Sequence, residues 1–120
     1  MKYKYKLKNN VVVQTNIFPT APCLVQGYVF LDTDGKLFIY QGYAWDGATC
    51  AIDFKCTKLG VLVHDALYQL IRESNLSEHW RPGSDKELRK LITCNLIADI
   101  YYVAVRTFGK YFVRLPAILR

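Results

Sequence analysis

The stretch that decides the fold spans residues 58–73 and reads KLGVLVHDALYQLIRE. Its apolar residues recur at the spacing of one face of an α-helix. The residues on this face are Leu59, Val63, Leu67, Leu70 and Ile71. A single helix of about four turns accounts for the pattern. We therefore expect this helix to pack its apolar face against the rest of the chain.

The residues after this stretch predict a loop and a second long helix. Residues 74–83 are polar and contain a Pro-Gly pair, which is typical of a loop. Ser84 is followed three positions later by Glu87, the pattern of a capping box at the start of a helix. The apolar spacing then continues to about Phe108, and Gly109 is expected to end the helix.

The residues before this stretch predict antiparallel strands. Residues 2–8 alternate Lys with Tyr or Leu, as in a strand with a charged face and an aromatic face. Two apolar runs, residues 25–31 and 36–40, flank Asp32-Thr33-Asp34-Gly35, which is a hairpin signal because Asp-Gly tolerates positive φ. The predicted fold class is α+β, with N-terminal antiparallel strands and a hairpin followed by two long antiparallel helices with a loop between them.

Length and composition predict a single domain. The 120 residues, of which 52% are apolar, leave room for one hydrophobic core. We divide this domain into a β-rich part, residues 1–44, a part with a loop and two helices, residues 45–109, and a basic tail, residues 110–120. The longest apolar run, residues 91–105, is too short and too polar for a transmembrane helix, and the N-terminus does not have the apolar core of a signal peptide.

The net charge of +6 is unevenly distributed. Residues 45–80 carry three basic and five acidic groups, whereas residues 1–44 carry five and two, and residues 81–120 eight and three. A local surplus of carboxylates suits a bound cation, and basic flanks suit an anionic surface such as phospholipid or nucleic acid. The four cysteines are irregularly spaced, which favours free buried thiols over a disulfide framework or a zinc site.

The first predicted helix carries residues suited to acid–base chemistry. His64 and Tyr68 are one turn apart and share a face, while Asp65 points toward a neighbouring surface. If the two helices pack antiparallel, Asp85 can bind the Nδ1 proton of His64, which leaves Nε2 free as a base. The alternatives are that His64 is an ordinary core residue, that Asp85 only interacts with the helix dipole, and that Asp99 is the partner of the imidazole.

Asp46 and Gly47 lie in a loop of small residues between the strands and the first helix. Such a loop can turn backbone carbonyls inward beside a carboxylate, and calcium prefers this mixture of oxygen ligands. Asp65 could complete the coordination shell. The alternative for Asp46-Gly47 is an ordinary turn.

Taken together, these motifs resemble the phospholipase A2 superfamily, and most closely its short prokaryotic branch, over roughly residues 45–109. The matching segments are Asp46-Gly47-Ala48-Thr49, His64-Asp65-Ala66-Leu67-Tyr68, Ser84-Asp85, and the run from Tyr101 to Gly109. The motifs Trp-Asp-Gly-Ala-Thr and His-Asp-x-Leu-Tyr also resemble those of a phage-encoded family of unknown function, which implies a viral origin.

The resemblance implies a role for each matching residue. His64 would be the general base on a water molecule, Asp85 would orient it, and Tyr68 would brace a carboxylate through its hydroxyl. Calcium would be the cofactor and would stabilise the oxyanion as a Lewis acid. The calcium ligands that the resemblance implies are Asp46, the carbonyl of Gly47, and Asp65.

Three functional hypotheses follow. The first is a phage protein of the host cytoplasm or the virion that hydrolyses a lipid ester with calcium at a phospholipid or anionic membrane surface. The second is a catalytically silent phage protein that uses the same scaffold in the virion or binds a host protein. The third is a nucleic-acid-binding accessory protein, which is disfavoured because the lysines and tyrosines of residues 2–8 face opposite sides. The oligomeric state is left open.

Overall fold

The computed structural model describes residues 5–45, 58–92 and 95–114. The strands are β1 Tyr5–Lys6, β2 Val11–Gln14, β3 Cys23–Val25, β4 Val29–Leu31, β5 Lys36–Ile39 and β6 Ala44–Trp45. The helices are α1 Lys58–Glu73, α2 Arg81–Leu91 and α3 Asn95–Arg114, with a 3-10 turn, Glu78–Trp80, directly before α2. The predicted α+β class is confirmed, because antiparallel strands come first and helices follow.

Four of the strands form an antiparallel sheet in the order β2-β5-β4-β3. The predicted hairpin connects β4 to β5, and its turn is held by Asp32, whose Oδ1 accepts the N–H groups of Asp34 and Lys36 at 2.9 Å each. Gly35 has a φ of +87°, and a Cβ there would approach the carbonyl oxygen of Thr15 to 2.5 Å. Only glycine satisfies both conditions at this position.

The first strand is shorter than the sequence pattern predicts. Tyr5 pairs with Trp45, so that β1 and β6 form a separate antiparallel pair beside the larger sheet. Within the described residues, the predicted strand over residues 2–8 is limited to Tyr5–Lys6. Residues 2–4 lie outside the described part of the chain.

One cluster of buried apolar side chains joins the sheet to the helices. The inner face of the sheet contributes Val29, Leu31, Leu37 and Ile39, and α1 contributes Val63, Leu67 and Leu70. Each such side chain stabilises the fold by roughly 1.5–3 kcal/mol when fully buried. The apolar face of α1 is thus confirmed in its middle turns, although Leu59 in the first turn remains 43% exposed.

Cys23, on β3, is a free and buried thiol, as the irregular spacing of the cysteines predicted. Burial raises the pKa of this thiol above its ordinary value. The other three cysteines, Cys50, Cys56 and Cys94, lie outside the described residues.

α2 begins at Arg81, three residues before the predicted N-cap. The chain tolerates a proline in this first turn because the first N–H groups of a helix have no partner within the helix. The predicted capping box is wrong, since the hydroxyl of Ser84 donates instead to the Trp80 carbonyl at 2.9 Å. Oε2 of Glu87 accepts the backbone N–H of Asn16 at 3.1 Å, which connects α2 to the loop after β2.

The long second helix predicted from the sequence is two helices. Ile92 ends α2 with an extended conformation, φ −84° and ψ 122°. α3 then runs from Asn95 past Gly109 to Arg114, so the prediction that Gly109 ends the helix is wrong. A glycine inside a helix costs only about 1 kcal/mol, which contacts with α1 and α2 can offset. Among the described helices, none has the length and apolar character needed to span a bilayer.

Candidate functional site

Asp85, on α2, is the centre of a buried polar cluster, and its side chain has no solvent exposure. Its Oδ1 accepts the hydroxyl proton of Tyr68 at 2.6 Å and lies 2.7 Å from Nε2 of His64. Its Oδ2 accepts an N–H of Arg106 at 3.0 Å. A single carboxylate therefore joins α1, α2 and α3. Hydrogen bonds to a charged group contribute roughly 1.5–3 kcal/mol each.

His64 and Tyr68 reach the same carboxylate because they lie one turn apart on α1. Their ring centroids are 4.0 Å apart with the planes inclined at 40°. His64 is 7% exposed and Tyr68 is 1% exposed. The structure thus brings together the three residues to which the sequence assigned catalytic roles, and it does so inside the helical layer rather than on an open surface.

The imidazole nitrogen that contacts Asp85 is Nε2, whereas the sequence predicted a contact through Nδ1. Nε2 lies at the far end of the ring from the backbone, so it is the nitrogen that can span the gap between two packed helices. Nδ1 is therefore the nitrogen left for proton transfer. Either ring nitrogen can accept a proton when the other donates a hydrogen bond. The predicted role of His64 as a base therefore moves from Nε2 to Nδ1.

The protonation states of the cluster follow from its surroundings. Burial by itself raises the pKa of Asp85, but the hydrogen bond and charge of His64, with two further hydrogen bonds, hold it below its ordinary value of 3.8. Burial and Asp85 raise the pKa of Tyr68, with Arg81 acting in the opposite direction, so the phenol stays protonated. Because an ionised carboxylate can only accept, Nε2 of His64 carries the hydrogen of this contact, and in a neutral imidazole the lone pair then lies on Nδ1.

Two residues of the cluster were not predicted as site residues. Arg106 donates to Asp85 from α3, with its side chain 34% exposed. Gly109 lies almost one turn further along α3, and a Cβ at this position would collide with the hydroxyl of Tyr68. A glycine inside a helical pattern is the sequence signal that could have indicated this close approach.

Asp99, the alternative partner for His64, lies on the surface. Its side chain is 58% exposed and its Oδ1 is 2.9 Å from a guanidinium nitrogen of Arg89. The interpretation of Asp99 as a buried partner of the imidazole is therefore wrong. His79, the second histidine of the chain, is exposed beside Trp80 and takes no part in the cluster.

The predicted calcium site is described only in part. Asp65 is half-buried on α1, next to His64, whereas Asp46 and Gly47 lie outside the described residues. Only one of the three predicted ligands is therefore described. In residues 5–45, 58–92 and 95–114 there is no group of three or more His, Cys, Asp or Glu side chains that could hold a metal ion. The calcium site at Asp46, the carbonyl of Gly47 and Asp65 therefore stays a prediction.

We expect the stability of the protein to depend on Asp85 in acid. The unfolded chain takes up a proton on this residue near its ordinary pKa of 3.8, while the folded protein does so only at lower pH. The carboxylate therefore stabilises the fold fully above that value, and this stabilisation is lost as the pH falls through the lower, folded pKa. Urea midpoints measured from neutral pH down to about pH 2.5 should therefore decrease. We call this decrease the acid limb of the stability profile.

The acid limb can be assigned with two variants. Asp85→Asn removes the titrating group and should flatten the limb, whereas Asp99→Asn changes an exposed carboxylate and should leave it unchanged. An equally steep limb in Asp85→Asn and the wild type would contradict the assignment.

Comparison with known proteins does not supply a relative whose site could be compared with this cluster. No family model matches the chain, and no curated protein or solved structure is significantly similar to it. The chemistry of the cluster is therefore inferred from its own atoms: a buried carboxylate that contacts one imidazole nitrogen, with the other imidazole nitrogen outside this contact.

Proposed function

We propose that the chain is a phospholipase A2-like phage protein of the host cytoplasm or the virion, and that it hydrolyses a lipid ester with the assistance of calcium. The observation that carries this proposal is the buried Asp85 carboxylate, 2.7 Å from Nε2 of His64. A carboxylate in this position fixes the tautomer of an imidazole and stabilises its protonated form, which is what a general base requires.

The reaction follows from the free nitrogen. Nδ1 of His64 takes a proton from a water molecule as the water oxygen bonds to the ester carbonyl carbon. The bond from this carbon to the alcohol oxygen then breaks, and the imidazolium returns the proton to the departing alcohol. Asp85 stabilises the imidazolium throughout, and Tyr68 and Arg106 hold the carboxylate in place by donating to it. Bound at Asp46, the carbonyl of Gly47 and Asp65, calcium would supply Lewis-acid polarisation of the ester carbonyl.

The surface of α3 supports a lipid substrate. Ile100, Val103 and Phe108 are each more than half exposed on this helix. Exposed apolar side chains on a helix of a basic protein favour binding at an anionic membrane surface, where the apolar groups seat in the interface and the positive charge is attracted to headgroups.

The test is calcium-dependent release of fatty acid from vesicles. We expect the purified chain to release fatty acid from phosphatidylglycerol or phosphatidylcholine vesicles when calcium is present. The release should stop when a chelator removes the calcium. Calcium should also raise the melting temperature by mass action, and Asp65→Asn or Asp46→Asn should reduce that shift. If neither anionic nor zwitterionic vesicles release fatty acid with calcium present, the proposed activity is excluded.

One observation favours a second candidate, a catalytically silent phage protein that acts in the virion or on a host protein. His64 is only 7% exposed, and its partner Asp85 is held by donors from two helices. Such a cluster also serves to fix three helices relative to one another. In that case, a His64→Gln variant that folds would leave the phage phenotype intact.

A further inference from the structure

Two arginines near the cluster have buried side-chain nitrogens whose N–H groups nothing in the described part of the chain accepts. These nitrogens are Nε and Nη1 of Arg72 and Nη1 of Arg81. The Arg72 side chain is 9% exposed, so that it is nine-tenths buried. Its Nη2 donates to Oε2 of Glu73 at 2.7 Å, which leaves the other two nitrogens without an acceptor in the described residues. A buried donor without an acceptor is destabilising, and more so when it is charged.

The two arginines lie at the same end of the α1–α2 pair. Arg72 is one turn after Tyr68 on α1, and Arg81 is one turn before Asp85 on α2. Tyr68 and Asp85 are hydrogen-bonded to each other. Both arginines therefore lie between this hydrogen bond and the loop that connects the two helices. Arg81 lies close enough to Tyr68 to hydrogen-bond its hydroxyl. Arg81 is therefore a neighbour of the phenol that binds Asp85.

In the part of the chain that the structure describes, Arg81 also differs from the neighbouring arginines in its lack of a carboxylate partner. Arg72 pairs with Glu73 and Arg106 with Asp85, so within the described residues Arg81 has no carboxylate of its own. A buried charge is stable only when it is paired.

We propose that Arg72 and Arg81 form a binding site for an oxyanion of the phosphate class. A water molecule could accept the unpartnered N–H groups but would leave the Arg81 guanidinium without an opposite charge, whereas an anion supplies both the acceptors and the opposite charge. The planar fork of a guanidinium matches the oxygens of a phosphate. Free phosphate and the phosphate of a lipid headgroup share this chemistry. The site does not require His64 to act as a base.

The test uses the full chain in calcium-free buffer, so that its outcome is separate from that of the hydrolase. Inorganic phosphate, compared with chloride at equal ionic strength, should raise the melting temperature by about 5 °C at a concentration several-fold above its Kd. The shift should be lost in Arg72→Met and in Arg81→Gln. Arg89→Gln is the matched control, because Arg89 is an exposed arginine of α2, and its response should equal that of the wild type.

A second measurement separates this site from a purely structural role of the arginines. Arg72→Met removes the unpartnered N–H groups, so without phosphate it should melt no lower than the wild type, while its response to phosphate is lost. A lower melting temperature together with an unchanged response would overturn the site. The response of the wild-type chain to phosphate over chloride is decisive even where one variant does not fold, since the absence of any shift also overturns it.

Vesicles distinguish the two sources of phosphate. Sedimentation with phosphatidylglycerol vesicles that is lost in Arg72→Met and Arg81→Gln, but kept in Arg89→Gln, identifies a lipid headgroup as the ligand. A phosphate-induced shift without arginine-dependent sedimentation identifies free phosphate. Sedimentation that is equal in all variants, with no phosphate-induced shift in the wild type, reflects surface charge alone and overturns the proposal.

Discussion

Replacing Asp85 with alanine is expected to lower the free energy of unfolding by about 3–5 kcal/mol. The carboxylate is completely buried and accepts from Tyr68 and Arg106 while contacting His64. Its removal leaves a cation and two polar groups without their acceptor, and an unpaired buried group costs more than the pair contributes when intact. Because a domain of this size is stable by only about 5–15 kcal/mol, the change should appear as a large fall in the urea midpoint.

The matched control for this variant is Asp99→Ala. Asp99 is also an aspartate on a helix with an arginine partner, but its side chain is 58% exposed. An exposed ion pair contributes about 0–1 kcal/mol, so this variant should unfold close to the wild type. If the two alanine variants have the same midpoint, Asp85 does not hold the three helices together.

The largest expected effect on activity is that of His64→Gln. Glutamine can still donate an amide N–H to Asp85, so the variant should fold, but it has no nitrogen that accepts a proton at neutral pH. General base catalysis contributes about 10²–10⁴-fold, and we expect calcium-dependent release of fatty acid from vesicles to fall by that factor. The measurement is initial rate at saturating calcium, with the urea midpoint determined on the same preparation.

His79→Gln is the control for this prediction, since it changes the second histidine, which is exposed and remote from the cluster. Its rate should equal that of the wild type. If His64→Gln remains folded and retains the wild-type rate, His64 is not the general base, and its imidazole is a structural donor to Asp85.

Local patterns predicted the elements that local interactions form. The hairpin at Asp32–Gly35 was predictable because its side-chain and backbone hydrogen bonds join residues two to four positions apart. The apolar face of α1 was predictable for the same reason, since helical periodicity is a property of neighbouring turns. The start of α2 was not predictable, because Ser84, which matches a cap by pattern, bonds instead to the carbonyl of Trp80 one turn earlier.

The sequence by itself determined the α+β class, the hairpin, and a helix on which His64 and Tyr68 share one face. Only the tertiary structure decided which imidazole nitrogen meets Asp85, that Arg106 completes the carboxylate, and that α3 continues through Gly109 beside Tyr68. The physical reason is chain separation: the bonds that make the cluster join residues 17 and 21 positions apart. Their partners are set by how the helices pack, which no local pattern encodes.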